Sequence, residues 1–253
     1  MKNPNLATKI FQSYIKSKDI REFKNNFFYY CFYRILRKQF NSNLIVKIYN
    51  FFLYSSYRKN KTSYSLLQKC DFFDVSEIKI IKKVSKFSKI FLIDCGSNFG
   101  FYTFFTSSLS PENYTIAIEA SEKTLNEFKE NLSLNNFNNI KYINKAVSDE
   151  DDKVIEFSES ENDWESSTIS SHLRVKSSKN IATITIDTIL KGEKVSDKKL
   201  IIKIDVEGGD INVLAGAQKT IKSYQPIIII EFSKYIHKNQ KYNYDFLEKF
   251  LEL

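Results

Sequence analysis

The sequence predicts an α/β protein built on a mostly parallel sheet with helices on both faces. Two observations predict it. From residue 89 onward, strand-like runs alternate with helical stretches: KIFLIDCG (89 to 96), YTIAIEA (114 to 120), IKYINKAVS (140 to 148), LIIKIDVEG (200 to 208) and PIIIIEF (226 to 232). Several of these runs are apolar at consecutive positions, as strands covered on both faces require. Repeated βα units of this kind close by right-handed connections.

Residues 1 to 85 read as a basic, aromatic-rich helical extension, because Phe23, Phe27 and Tyr30, and later Leu44, Ile48, Phe51 and Phe52, recur at three- and four-residue spacing. Residues 86 to 253 read as the main domain. A short helix after the first strand ends near Pro111. The next begins at Ser121, carries Leu125, Phe128 and Leu132 on one stripe, and stops at NNFNN. The acidic stretch DEDDKVIEFSESENDWESSTISSH lacks apolar periodicity and reads as a surface flap with one short strand at most. ATITIDTIL (182 to 190) reads as a strand, and a helix runs from Asp210 to about Ser223. Pro226 is tolerated as the first residue of the last strand.

The 253 residues suffice for one substantial domain and an appendage. Charge is divided unevenly: residues 1 to 90 hold 19 Lys/Arg against 5 Asp/Glu, and the remainder 19 against 25. The basic segment therefore has an acidic neighbour, which is a membrane surface, a nucleic acid or the acidic body of the same chain. Its aromatic stripe is either core or the lipid-facing side of a peripheral amphipathic helix. Cys31, Cys70 and Cys95 lack metal or redox spacing and read as reduced thiols. His172 and His237 are the only histidines, which argues against a histidine-rich metal site or a histidine-based triad. No apolar run approaches the roughly 20 residues of a membrane-spanning helix. The first twenty residues lack a secretory core, so a cytoplasmic, membrane-peripheral at most, location is expected.

Ligands of open parallel sheets bind beyond the carboxyl ends of the strands. In IDCGSNFG, Asp94, Gly96 and Gly100 occupy the end of the first strand and its turn. A dinucleotide fingerprint needs glycine at 96, 98 and 101, whereas Asn98 and Phe101 stand there. The turn suits instead a cationic ligand with an amino-acid part. Glu119, ending the second strand, is placed to accept both hydroxyls of a ribose. In order and at this spacing the two signals describe a pocket for S-adenosylmethionine; alternatively Asp94 caps a turn and Glu119 is a solvated helix-entry charge.

These residues resemble the FkbM-type methyltransferases. IDCGSNFGFYTFF resembles that family's first motif, AIEASEKTLNEFKENLSLNN its second, and IIKIDVEGGDINVLAGAQKTIKSYQPIIIIEF its third, with ITIDTIL preceding. The resemblance spans about residues 75 to 253 and implies a class I, Rossmann-like, S-adenosylmethionine-dependent methyltransferase acting on a hydroxyl, often of a sugar. By position it implies Asp94, Gly96, Asn98 and Gly100 around the cofactor's amino-acid end, Glu119 on its ribose, and Ala146, Val147 and Ser148 at its adenine. Ala120 replaces a common proline, and Gly209 with Asp210 replaces a small residue plus glutamate. The fold ordinarily adds two C-terminal strands, for which NYDFLEKFLEL offers no sequence, so 226 to 232 is expected to form a sheet edge. The acceptor is then a small molecule, glycan or glycolipid precursor. A non-catalytic binding protein on a truncated methyltransferase fold is the alternative, and a nucleic-acid methyltransferase ranks last.

Methyl transfer to an alcohol needs a held nucleophile and a destination for one proton. Lys203, Asp205 and Glu207 alternate along LIIKIDVEG, which places them on one side of the strand, with successive α-carbons roughly 6.5 to 7 Å apart. They form either an ion pair of Lys203 with Asp205 and a helix cap at Glu207, or a substrate site in which Asp205 or Glu207 orients or deprotonates the hydroxyl and Lys203 tunes it. A metal bridged by the two carboxylates is left open. Asp187, Glu231, Trp164 and His172 are weaker candidates.

Overall fold

The computed structural model describes residues 6 to 36, 44 to 55, 69 to 70, 75 to 160, 175 to 206 and 208 to 231. Trp164, His172 and Glu207 lie outside them. The N-terminal part contains α1 (Leu6–Lys16), a 3-10 turn (Ile20–Phe23), α2 (Phe27–Leu36) and a hairpin of β1 (Leu44–Ile48) and β2 (Phe51–Ser55), followed by α3 (Val75–Ser85). The α/β part then runs β3 (Ile90–Cys95), α4 (Phe101–Leu109), β4 (Tyr114–Ile118), α5 (Glu122–Leu132), β5 (Ile140–Ile143), β6 (Ala146–Val147), β7 (Val154–Ser160), β8 (Val175–Ile184), α6 (Ile186–Ile189), β9 (Lys199–Ile204), α7 (Asp210–Ala215), α8 (Gln218–Tyr224) and β10 (Ile227–Ile230).

The central sheet has the order β10-β9-β3-β4-β5, and every neighbouring pair is parallel. β3 is buried along its whole length. Alternate side chains go to opposite sides. Ile90 and Leu92 join Ala117 and Ile201 in a core shared with α4, the hairpin and the N-terminal helices. Phe91, Ile93 and Cys95 join Ile116, Ile118, Ile202 and Ile204 in a second core with α6 and α7. β10 stands at one end of the sheet among the described residues, and residues 232 to 253 lie outside them. No helix of the described residues is long and apolar enough to cross a membrane.

The N-terminal reading needs correction. Leu44, Ile48 and Phe51 are not on a helix: β1 and β2 pair antiparallel across a turn at Tyr49, whose φ is 52°. Leu44, Val46 and Ile48 are buried in alternation, as are Phe51 and Leu53, and this period of two also produces four-residue spacings. Side-chain amides occupy both edges of this hairpin. Gln12 donates to the Ile45 carbonyl at 2.8 Å and accepts from its N–H at 2.9 Å. Asn135 does the same for Phe52, both at 2.8 Å, and Asn131 accepts from the Tyr54 N–H at 2.7 Å. The buried aromatic stripe is Phe11, Phe23, Tyr29 and Tyr33, whereas Phe27 faces solvent.

Three further elements differ from expectation. The third strand leaves the sheet after Ile143, where the Asn144 amide donates to the Glu119 and Ala120 carbonyls, so Ala146 and Val147 pair with β8 instead. The described part of the acidic flap contains β7, in line with the one strand allowed there, and β7 pairs antiparallel with β8 beyond the flap. ITIDTIL changes from strand to helix at Thr185, which accepts from the Thr188 N–H. Asp187 then accepts from the Lys219 and Thr220 N–H groups, fixing the start of α8. The helix from Asp210 breaks at Gly216, where a Cβ would collide with the Ser148 carbonyl.

Candidate active site

Strand order reverses between β3 and β9, because β4 and β5 extend from one side of β3 while β10 extends beyond β9. A cavity of about 490 Å³ opens at the carboxyl ends of these strands, with Gly96, Glu119, Ala146, Val147, Gly208 and Asn212 in its wall. This is where an open parallel sheet places its ligand.

The loop after β3 is fixed almost wholly by its backbone. The N–H groups of Gly96 and Ser97 both donate to the Ile118 carbonyl, at 2.9 and 3.0 Å. Gly96 has φ 76°, and a Cβ there would fall on the Asp205 carbonyl oxygen. Asn98, at φ 50°, donates its N–H to Glu119 Oε2 at 2.9 Å. Gly100, at φ 97°, starts α4 beneath the rings of Phe104 and Phe128, so packing as well as conformation requires glycine there. Asn98 and Gly100 are not among the residues lining the cavity and act through the shape of the loop.

Glu119 does line it. Its Oε1 accepts from the Ser121 N–H at 2.9 Å, so both carboxylate oxygens are held by backbone amides. Burial pushes its pKa up to about 7, against the pull of these two hydrogen bonds. Each oxygen keeps acceptor capacity beyond one N–H, and two hydroxyls can be accommodated.

Asp94 is fully buried. Its Oδ2 accepts from Thr103 Oγ1 at 2.7 Å, and its Oδ1 has no hydrogen-bond partner among the described residues. Burial raises its pKa, while Lys203 and Thr103 act in the opposite sense. Asp94 and Lys203 are register partners across β3 and β9 and therefore share a side of the sheet. The Lys203 ammonium donates to Asp205 Oδ2 at 2.9 Å and lies 4.7 Å from the centre of the Tyr102 ring. The structure thus contains the ion pair that the alternation of Lys203 and Asp205 allowed. Lys203 is 5% exposed, whereas a third (33%) of the Asp205 side chain reaches solvent.

The loop between β9 and α7 is closed by a residue noted in the sequence only as a departure. Asp210 accepts from the Val206 and Gly208 N–H groups, both at 3.1 Å. Asn212, Lys153 just before β7, and Ile155 within β7 also line the cavity and are not among the residues expected from the sequence. No group of three or more His, Cys, Asp or Glu among the described residues is placed to hold a metal ion.

A parallel α/β sheet with a glycine turn and an acidic strand end at its switch point is a Rossmann-like nucleotide-binding arrangement, the one on which class I methyltransferases are built. The model of the FkbM methyltransferase domain matches residues 94–253, and the chain belongs to that family. S-adenosylmethionine is the cofactor of this class. Among solved structures, M. jannaschii TYW2 in complex with AdoMet is 20% identical, with a TM-score of 0.30, over 40% of this chain and 42% of that one. The precorrin-6y C5,15-methyltransferase of Geobacter metallireducens is 13% identical, with a TM-score of 0.35, over 69% of this chain and 66% of that one. The chain thus spans less than half of the first. No curated protein matches it.

The loop that shapes the cavity is tied to the N-terminal hairpin by one side chain. Asn131, 2% exposed, donates to the Phe99 carbonyl at 2.9 Å while accepting from Tyr54. Asn131→Ala leaves both groups unsatisfied and is expected to lower stability by about 2 kcal/mol. It should also weaken S-adenosylhomocysteine binding, read by urea unfolding and calorimetric titration. Unchanged affinity would show that the Phe99 turn holds its shape without Asn131.

Proposed function

We propose that the protein is an S-adenosylmethionine-dependent O-methyltransferase acting on a hydroxyl of a sugar, glycan or glycolipid precursor. The observation that carries this reading is the pairing, at one switch point, of a buried cavity carboxylate with a Lys203–Asp205 couple at the end of the next strand. Glu119 accepts the ribose hydroxyls, the missing side chain of Gly96 keeps the wall low, and Ala146 and Val147 offer an apolar seat for adenine. When bound, the cofactor supplies an electrophilic methyl group on a sulfonium. Asp205, the more exposed member of the ion pair and outside the cavity wall itself, orients the acceptor hydroxyl and takes its proton, and the Lys203 ammonium fixes the rotamer of its carboxylate. Glu207, two residues further on, is the other candidate for the proton.

Labelled S-adenosylmethionine, incubated with the protein and glycan or glycolipid fractions, tests the assignment. Label in a saccharide is the expected result, and label confined to RNA or protein would overturn it. Glu119 adds a pH test. Two ribose hydroxyls can donate to both of its oxygens together only when it is ionised, so affinity for S-adenosylhomocysteine is expected to be fully developed above the carboxyl pKa of about 7. Below it, affinity should fall by up to about tenfold per pH unit. Glu119→Gln should weaken binding and flatten that dependence; a wild-type profile that is already flat would remove Glu119 from the ribose.

A further inference from the structure

The N-terminal helices bury one face and leave an apolar one in water. Phe27 and Phe28, in the first turn of α2, are 73% and 72% exposed, with their rings edge-on at 5.9 Å. Tyr29, the next residue, is fully buried, so the helix has a core to pack on and the phenylalanines are turned away from it. Arg34, seven residues after Phe27 and on the same helical face, is exposed, as is Lys24 just before the helix. On α1, Ile10 and Tyr14 are exposed one turn apart, beside exposed Lys16 and Lys18. Of the two acidic residues between 6 and 36, Asp19 is bonded by the Arg21 guanidinium through two contacts of 2.8 Å, and Glu22 lies 4.0 Å from the Lys18 ammonium. The exposed phenylalanine pair is therefore flanked along the chain by cations, Lys24 before it and Arg34 two turns after it.

Solvent does not stabilise such a pair of rings, and an acidic protein surface or a phosphate backbone would satisfy only the cations. An anionic bilayer satisfies both, with an apolar layer beneath a negatively charged one. We propose that this face seats the protein on an anionic lipid membrane, with Phe27 and Phe28 entering the interface and Lys24 and Arg34 at the level of the lipid phosphates. The proposal stands apart from the methyl-transfer reading, since neither cofactor nor acceptor enters it.

Sedimentation of the full chain with vesicles tests it. Binding is expected to vesicles of equal phosphatidylcholine and phosphatidylglycerol, to weaken with added salt, and to be absent with phosphatidylcholine alone. Phe27→Ser with Phe28→Ser should lower partitioning on the order of tenfold or more. Its circular dichroism and S-adenosylhomocysteine affinity should stay unchanged, because neither residue touches the cavity. Equal binding to neutral vesicles, or undiminished binding by the double variant, would overturn the proposal. So would RNA displacing the lipid, or a dimer in light scattering that the variant dissolves while vesicles are never bound.

Discussion

Gly96→Ala is expected to remove measurable S-adenosylhomocysteine binding and to lower stability by roughly 3 kcal/mol. Two separate costs act at this position. The φ of 76° lies in the left-handed region, which an L side chain occupies at a cost of about 1 kcal/mol or more. The added Cβ also falls on the Asp205 carbonyl oxygen, a backbone atom at the end of β9 that has no rotamer with which to withdraw. Relief requires the β3–α4 loop to move as a unit, which breaks the paired hydrogen bonds of Gly96 and Ser97 to Ile118 and displaces the Asn98 N–H from Glu119. Gly192→Ala separates the two costs. Gly192 has a similar φ of 87° but nothing within 4 Å of a Cβ, so alanine there meets only the conformational term. Urea unfolding of both variants decides the matter: if Gly96→Ala loses no more than Gly192→Ala, the contact with Asp205 yields more easily than the geometry implies.

Why some of this was legible in the sequence and some was not follows from the range of the interactions. β3 and β9 are interior parallel strands, so burial on both faces writes them as largely apolar runs, and β10, at the end of the sheet, is legible from its four consecutive isoleucines. Glu119 was legible because the position after a buried strand that ends in a carboxylate has few other uses. The hairpin was misread because burial at Leu44, Ile48 and Phe51 fits helical spacing and strand alternation alike; Val46 and Leu53 break the tie only when the strand period is tried. Its edges are closed by Gln12, Asn131 and Asn135, whose partners lie 33, 77 and 83 residues away, and an amide bonded at that distance leaves no local pattern. In the β7–β8 ribbon β7 carries Glu and Ser and β8 carries Lys and Ser, so its pairing rests on backbone hydrogen bonds more than on an apolar face. The meeting of Asp94 with Lys203 depends on the register of β3 against β9, which only the assembled sheet supplies.

That register sets the second large effect. Lys203→Met keeps the length and most of the apolar stem of a 5%-exposed side chain while deleting its charge. Asp94 then has only Thr103, through its hydroxyl and its backbone, to offset complete burial, and Asp205 loses the ammonium at 2.9 Å. Removing one partner from a buried charged group costs about 3 to 5 kcal/mol, and the lower end is expected here because Asp205 is partly solvated. The loss should depend on pH. Without the cation, the folded-state pKa of Asp94 climbs further above its unfolded value, and a carboxyl raised in this way favours folding below the unfolded pKa and loses that contribution as pH rises through the folded one. The gap between wild type and variant should therefore be wider at pH 8 than at pH 5, and Asp94→Asn on the Lys203→Met background should recover part of it. Catalysis offers a separate reading of the same change. Lys203 does not line the cavity, so S-adenosylhomocysteine affinity should stay near wild type while turnover falls by about 100-fold, as expected when a general base loses its orientation. An equal fall in affinity would move Lys203, and with it Asp205, from the acceptor side of the pocket to the cofactor side.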